Sequence, residues 1–165
     1  MMEWFFSQES VKTFGTDCLR LFVAVLLGGS LGIERQLRGQ WAGVRTHMMV
    51  SLGAAIFTIA AVTTAPNNSN DVTRVIQGIA AGIGFLGAGT ILKLGNEVKI
   101  KGLTTASSIW LAAALGTVSG MGEYALAAAA GVISLWILAS RSLITKAFGN
   151  GDAIEKETSD VYERI

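Results

Sequence analysis

The densest group of residues able to do chemistry lies in GIERQLRGQWAGVRTH, where Glu34, Arg35, Arg38, Trp41, Arg45, Thr46 and His47 follow one another closely. Three guanidinium groups at this spacing suit planar oxyanions: a lipid headgroup, a phosphate or the carboxylate of a partner protein. A plainer reading stands beside it, in which arginines and a tryptophan anchor the chain at a membrane surface and set its topology. Glu34 and Arg38 are one helical turn apart in the favourable order for an ion pair, and Gly39 and Gly43 then end the helix. His47 is read as an interfacial hydrogen-bonder rather than a metal ligand.

A second group occurs in KLGNEVKIKGLTTASSIW. Lys93, Glu97, Lys99 and Lys101 precede a helix start rich in hydroxyls, Thr104, Thr105, Ser107 and Ser108. The alternation from Val98 to Lys101 predicts an extended stretch. Hydroxyls in an apolar helix bond back to their own backbone or across to a neighbouring helix. Gln77, Thr104, Thr105 and Ser108 are also the best candidates for lining a polar path. Asp17 and Arg20, three apart, form a third group: either Arg20 snorkels to the headgroups with Asp17 neutralising it, or the two make a functional intramembrane pair.

Several chemistries are excluded. Cys18 and His47 are the only residues of their kinds, which leaves no internal disulfide, no Cys-rich zinc site and no two-histidine motif, so neither a metal nor a cofactor is expected. No serine sits in a nucleophile-elbow context and His47 has no evident partner in the sequence, so a non-enzymatic role is expected. Gly82, Gly84 and Gly87 spell G-x-G-x-x-G, but inside an uncharged apolar run, and Glu97 follows too early to hold a ribose. A net charge of +1 offers no field for a nucleic acid.

The elements that must position these groups are membrane helices. Of 165 residues, 51% are apolar and 15% charged, and mean hydropathy is +0.50. Charged residues divide the chain into uncharged gaps at 21–33, 46–70, 75–92, 102–122 and 124–140. The last four each supply about 17 residues or more, enough at about 1.5 Å per residue to cross a core of about 30 Å. The first reaches only about 20 Å, so its helix must take in Asp17 and Arg20, or Glu34 and Arg35. The start, MMEWFFSQES, is acidic and aromatic, unlike a signal peptide, so the first helix is expected to stay.

The fold expected is an all-α integral membrane protein, a bundle of five transmembrane helices over residues 1–145, with a short tail at 146–165. Ten lysines and arginines (Arg35, Arg38, Arg45, Lys93, Lys99, Lys101, Arg141, Lys146, Lys156, Arg164) would share one side, against Lys12, Arg20 and Arg74 on the other. That asymmetry places the N-terminus outside and the C-terminus in the cytoplasm. In the tail, Ile154, Val161 and Ile165 fall at helical spacing, either as a frayed acidic end or as a docking stripe. Gly28 and Gly32, Gly78 and Gly82, and Gly116 and Gly120 are in small-xxx-small register, which predicts close helix packing. Short helices bury polar faces poorly alone, so a homo-oligomer is expected.

Three stretches resemble the MgtC/SapB family of bacterial inner-membrane proteins: G-x-x-x-G-I-E-R from Gly28 to Arg35 with AGVRTH at 42–47, GIGFLGAGTI at 82–91, and VKIKGLTTASSIWLAAALG at 98–116. Glu34, Arg35, Gly43, Arg45, Thr46, Gly84, Gly87, Gly89, Gly102, Thr105 and Trp110 match the family's motif. Gly82, Gly84, Gly87, Gly89 and Trp110 are taken as helix-packing positions. The resemblance implies a multi-pass regulator, tied to low-magnesium, phosphate or acid-stress adaptation and, in pathogens, to survival inside host cells. Such a regulator would bind other membrane proteins, such as an F-type ATP synthase or a P-type ATPase. Many members carry an ACT-like C-terminal domain, so a short form without it is expected. The alternatives are a transporter or channel for a cation or small solute, and an anionic-lipid sensor built on Arg35 and Arg38.

Overall fold

The computed structural model describes residues 8–64, 69–93 and 100–140. Within them the order is α1 (Gln8–Leu37), α2 (Val44–Thr64), α3 (Ser69–Ala88), β1 (Leu92–Lys93), β2 (Ile100–Lys101), α4 (Leu103–Met121) and α5 (Tyr124–Ala139). The two short strands pair antiparallel, Leu92 with Lys101 and Lys93 with Ile100. The extended reading therefore holds at Ile100–Lys101, while 94–99, the loop around Pro66 and the tail from 141 lie outside the described residues.

The five helices fall on the five uncharged gaps. α1, with 30 residues, takes in both flanking pairs, Asp17 with Arg20 and Glu34 with Arg35. By length and composition, two segments, Lys12–Leu37 and Val44–Thr64, are long and apolar enough to cross a membrane. The other three helices fall short of that measure for local reasons: α3 opens on Asn70, Asp71 and Arg74, α4 opens on hydroxyls, and α5 has 16 residues.

α1, α2 and α4 pack against one another, and glycine makes the close approaches of α2 to the other two possible. A Cβ added at Gly28 would stand 2.6 Å from the His47 carbonyl oxygen, and one at Gly32 would stand 2.5 Å from Val44 Cα. On the other side, Gly120 of α4 meets the Ala55 carbonyl in the same way, at 2.8 Å. The Ser51 hydroxyl closes the α1–α2 contact by donating to the Ala24 carbonyl at 2.8 Å. Leu31, Ala112 and Leu115 form a buried cluster that Ala130, Leu135 and Leu138 of α5 cover. The turn between α4 and α5 is made at Gly122, whose φ of 85° lies in the left-handed region and whose missing side chain leaves room for the Arg20 guanidinium.

α3 is held mainly by its C-terminal half. Ile83 packs into a cluster with Ala54, Ile109 and Ala113, and a Cβ at Gly87 would lie 3.6 Å from that of Ala106. Close packing is expected at Gly82 and Gly84 as well, and among the described residues of one chain it does not occur. Among the described residues, a Cβ at Gly78, Gly82 or Gly84 would meet nothing within 4 Å. Small-residue spacing shows that a helix can be approached closely; which face is approached depends on where the neighbours' larger side chains go. The splay leaves an apolar groove of about 570 Å³ between α2 and α3.

The distribution of polarity is inverted relative to a water-soluble bundle. Ser51, Thr58, Thr117 and Ser119 are buried, each donating to a backbone carbonyl, whereas Phe22, Phe57, Phe85, Val132 and Trp136 are exposed. Water would penalise so many exposed aromatic and aliphatic side chains, whereas hydrocarbon solvates them.

Candidate functional site

The site forms where the end of α1, the turn after it, the start of α2 and the start of α4 converge. Leu37 ends α1, and Gly39 turns the chain with a φ of 67°. Gln36 then receives the Val44 backbone N–H on its Oε1 at 3.2 Å, satisfying one of the free amides at the N-terminus of α2. α4 is started by Gly102, φ 100°, where any side chain would collide with the Thr90 carbonyl. That close fit sets α4 beside the end of α3 and turns Thr105 and Ser108 inward.

Arg35 is 4% exposed. Its Nη2 donates to Gln40 Oε1 at 2.9 Å and to Thr105 Oγ1 at 3.2 Å, and Thr105 Oγ1 in turn donates to Gln40 Oε1 at 3.3 Å. Glu34 supplies the counter-charge: its carboxylate lies 3.9 Å from Arg35 Nη1 and is paired with Arg38 Nε one turn on. A buried guanidinium needs such partners, because an isolated charge would cost several kcal/mol in this environment.

His47, fully buried, is the second hub. Its Nδ1–H donates to the Gly43 carbonyl at 2.8 Å, and its Nε2 lies 3.0 Å from Ser108 Oγ. Ser108 Oγ also stands 2.8 Å from the Thr105 carbonyl, so its single proton serves one acceptor at a time. The two hubs meet on Thr105 and Ser108, tying α1, α2 and α4 together.

The structure therefore joins residues that the sequence reading kept apart, the arginine loop and the hydroxyls of α4. It also corrects three expectations. Arg35 faces inward and is unavailable to a headgroup or partner, because its charge is compensated within the chain. His47 is enclosed between α2 and α4 rather than interfacial. Trp110, taken as a packing residue, is 51% exposed beside Gly84 and Gly87.

Of the other candidates, Arg38, Arg45, Thr46 and Thr104 are exposed. Gln77 stands on an exposed part of α3 beside Asn70 and Arg74, and is not brought to Thr105 or Ser108. Asp17 and Arg20 do pair, at 3.3 Å, and they sit at the α4–α5 turn. Among the described residues, a Cβ at Gly89 would meet only carbonyls at the end of α3, those of Leu86 and Phe85. Sequence reasoning missed the His47–Ser108 contact and the two glutamines. Local spacing carries no sign of a bond spanning 61 positions, although Gln36 and Gln40, flanking a helix end, were the amides best placed to cap it.

An inverted, glycine-packed helical bundle with a buried guanidinium–imidazole network at one end defines a membrane-type bundle protein. The chain belongs to the MgtC family, whose model matches residues 21–147 and so covers the whole network. It is 43% identical to MgtC of Salmonella typhimurium over 117 residues, covering 71% of this chain and 48% of that protein. It is 49% identical to the uncharacterised protein slr0014 of Synechocystis, covering 64% and 44%. It is 40% identical to YhiD of Escherichia coli K12, provisionally named a magnesium transporter, covering 73% and 58%. The chain thus spans about half the length of the curated relatives it matches. No solved structure matches it.

Proposed function

We propose that the chain is a multi-pass protein of the bacterial cytoplasmic membrane, crossing it five times with the N-terminus outside. We assign it a non-enzymatic, regulatory role in magnesium-related adaptation, exercised by binding another membrane protein such as an ATP synthase or a P-type ATPase. The observation that carries this reading is the buried network. Thr105 and Ser108, the groups best suited to line a solute path, are committed to Arg35, His47 and Gln40. The same network braces a loop that presents Leu37 and Trp41, 83% and 88% exposed, beside Arg38 and Arg45. A rigid surface loop with an exposed tryptophan and arginines is well made for a protein contact.

Transport is the second reading, and the name given to YhiD supports it. The experiment that separates them measures magnesium and proton flux into proteoliposomes holding the purified protein, with mass spectrometry of proteins retained from the membrane. The regulator reading expects no saturable flux and a retained partner that Trp41→Ala releases. Saturable flux lost in Thr105→Val would overturn it.

A further inference from the structure

α5 delivers the chain to the end of the bundle that holds the buried network. A Cβ at Gly131 would lie 3.0 Å from Leu27 Cδ2, and Gly122, at the turn before α5, faces the Arg20 guanidinium. α5 therefore runs beside α1 in the same direction. From Gly131 to Ser140, which ends α5, the helix advances about 13 Å, the same advance that carries α1 from Leu27 to Gln36. Ser140 thus stands level with the α1–α2 turn, and residues 141–165 follow it outside the described residues.

That end of the bundle is basic. Thr105 is hydrogen-bonded to Gln40, so Trp41, next to Gln40, and Lys101, four residues before Thr105, share it with Arg45 at the start of α2. Trp41, Arg45 and Lys101 are exposed, and among the described residues neither cation has an ion pair. Glu34 is the one acid at this end among the described residues, and its carboxylate is already held by Arg38 and faces Arg35. The other described acids stand at the opposite end: Glu9 at the start of α1, Asp71 at the start of α3, and Asp17 and Glu123 at the α4–α5 turn.

The chain carries its own complement to this charge. Residues 152–165 hold five carboxylates, Asp152, Glu155, Glu157, Asp160 and Glu163, against Lys156 and Arg164, a net charge of −3. Ile154, Val161 and Ile165 recur among them at helical spacing, an apolar match for the exposed Leu37 and Trp41. The stretch 141–151 can reach about 36 Å when extended, further than three packed helices about 10 Å apart. Tethering over that length gives an effective concentration of about a millimolar, so weak, screened ion pairs are enough to hold the segment. An anionic leaflet repels a segment of this charge and does not compete for it.

We propose that residues 152–165 dock on the end of the bundle marked by Trp41, Arg45 and Lys101 and cover the loop between α1 and α2. The occupant is the chain's own acidic segment rather than a lipid or a second protein. The consequence, that a partner must displace the segment to reach Trp41, rests on the proposed function; the contact itself does not.

The test measures a distance by pulsed electron paramagnetic resonance in the full chain, held in phosphatidylcholine nanodiscs. Cys18→Ser removes the native thiol, and spin labels are placed at Thr104→Cys, exposed near Lys101, and at Ser159→Cys. Docking gives a short, narrow distance population that falls about threefold or more when salt is raised from about 0.05 to about 0.5 M. Arg45→Glu with Lys101→Glu should lower it about fivefold or more in protein whose circular dichroism is unaltered. Adding Glu155→Lys and Glu157→Lys to that variant should restore it, and Arg74→Glu, at the opposite end, should leave it unchanged. A broad distribution in the wild-type protein, or a short one indifferent to the charge reversals, overturns the proposal. So does a short distance seen only between singly labelled chains after mixing, which would seat the segment on a second copy, or one that requires phosphatidylglycerol in the disc, which would seat it on lipid. The distance is measured on the protein alone, so its failure is distinct from failure of the regulatory role, which the retained partner decides.

Discussion

The guanidinium of Arg35 reaches Thr105 Oγ1 at 3.2 Å, joining the last turn of α1 to the first turn of α4 across 70 positions of sequence. The bond is enclosed, and it shares Gln40 Oε1 as a common acceptor. Whatever the loop between α1 and α2 contacts, its conformation is held from below by this pair.

Removing that support should be costly. Arg35→Leu is expected to destabilise the protein by about 2–3 kcal/mol, since it removes the buried charged donor that Gln40 and Thr105 share and leaves Glu34 with Arg38 alone. Arg35→Lys should recover only part of the loss, because an ammonium lacks the fork that spans Glu34 and Thr105. Thermal unfolding in a mild detergent measures both, and an Arg35→Leu melt matching the wild type would show the network to be dispensable.

The glycines should divide by what surrounds them. Gly28→Ala pushes a methyl to within 2.6 Å of the His47 carbonyl, so α1 and α2 must separate, at about 1–3 kcal/mol. Gly82→Ala meets open space, and its better helix propensity should leave stability unchanged or raise it by up to about 1 kcal/mol. Equal losses from the two in the same melting assay would contradict the packing described.

His47 and Ser108 should prove coupled. A double-mutant cycle on His47→Phe and Ser108→Ala is expected to return an interaction of about 0.5–1.5 kcal/mol, the net worth of one buried hydrogen bond. Purely additive effects would mean that the 3.0 Å contact contributes nothing beyond packing.

Topology can be read with single thiols. In a Cys18→Ser background, Asn70→Cys should react with an impermeant maleimide in whole cells, and Trp41→Cys only after the cells are opened. Both wild-type residues are exposed, so access reports the side of the membrane. The reverse pattern would invert the orientation, and labelling of both from outside would break the five-span reading.

Gly122→Ala should destabilise by about 1–2 kcal/mol, because φ at this turn is 85° and a side chain would approach the Arg20 guanidinium at 3.4 Å. Gly15→Ala, on α1 where a Cβ would meet nothing within 4 Å among the described residues, is the control.

Much of this architecture was written locally in the chain. The uncharged gaps placed all five helices, because a charge is expensive inside an apolar helix bundle and therefore marks its edges. Gly39 ended α1, and the Asp17–Arg20 and Glu34–Arg38 pairs followed from one-turn spacing, since i,i+3 and i,i+4 neighbours meet whatever the rest of the fold does. Only the tertiary structure decided the remainder. Three arginines close together around the α1–α2 turn have the same chemistry, yet Arg35 is enclosed, Arg38 is paired and Arg45 is free among the described residues, because α4 brings Thr105 under the first of them. Likewise Gly28 and Gly82 carry identical small-residue spacing; one is pressed against α2 and the other opens a groove. A side chain's type and its neighbours along the helix set what it can do, but the approach of a distant helix determines which partner it meets.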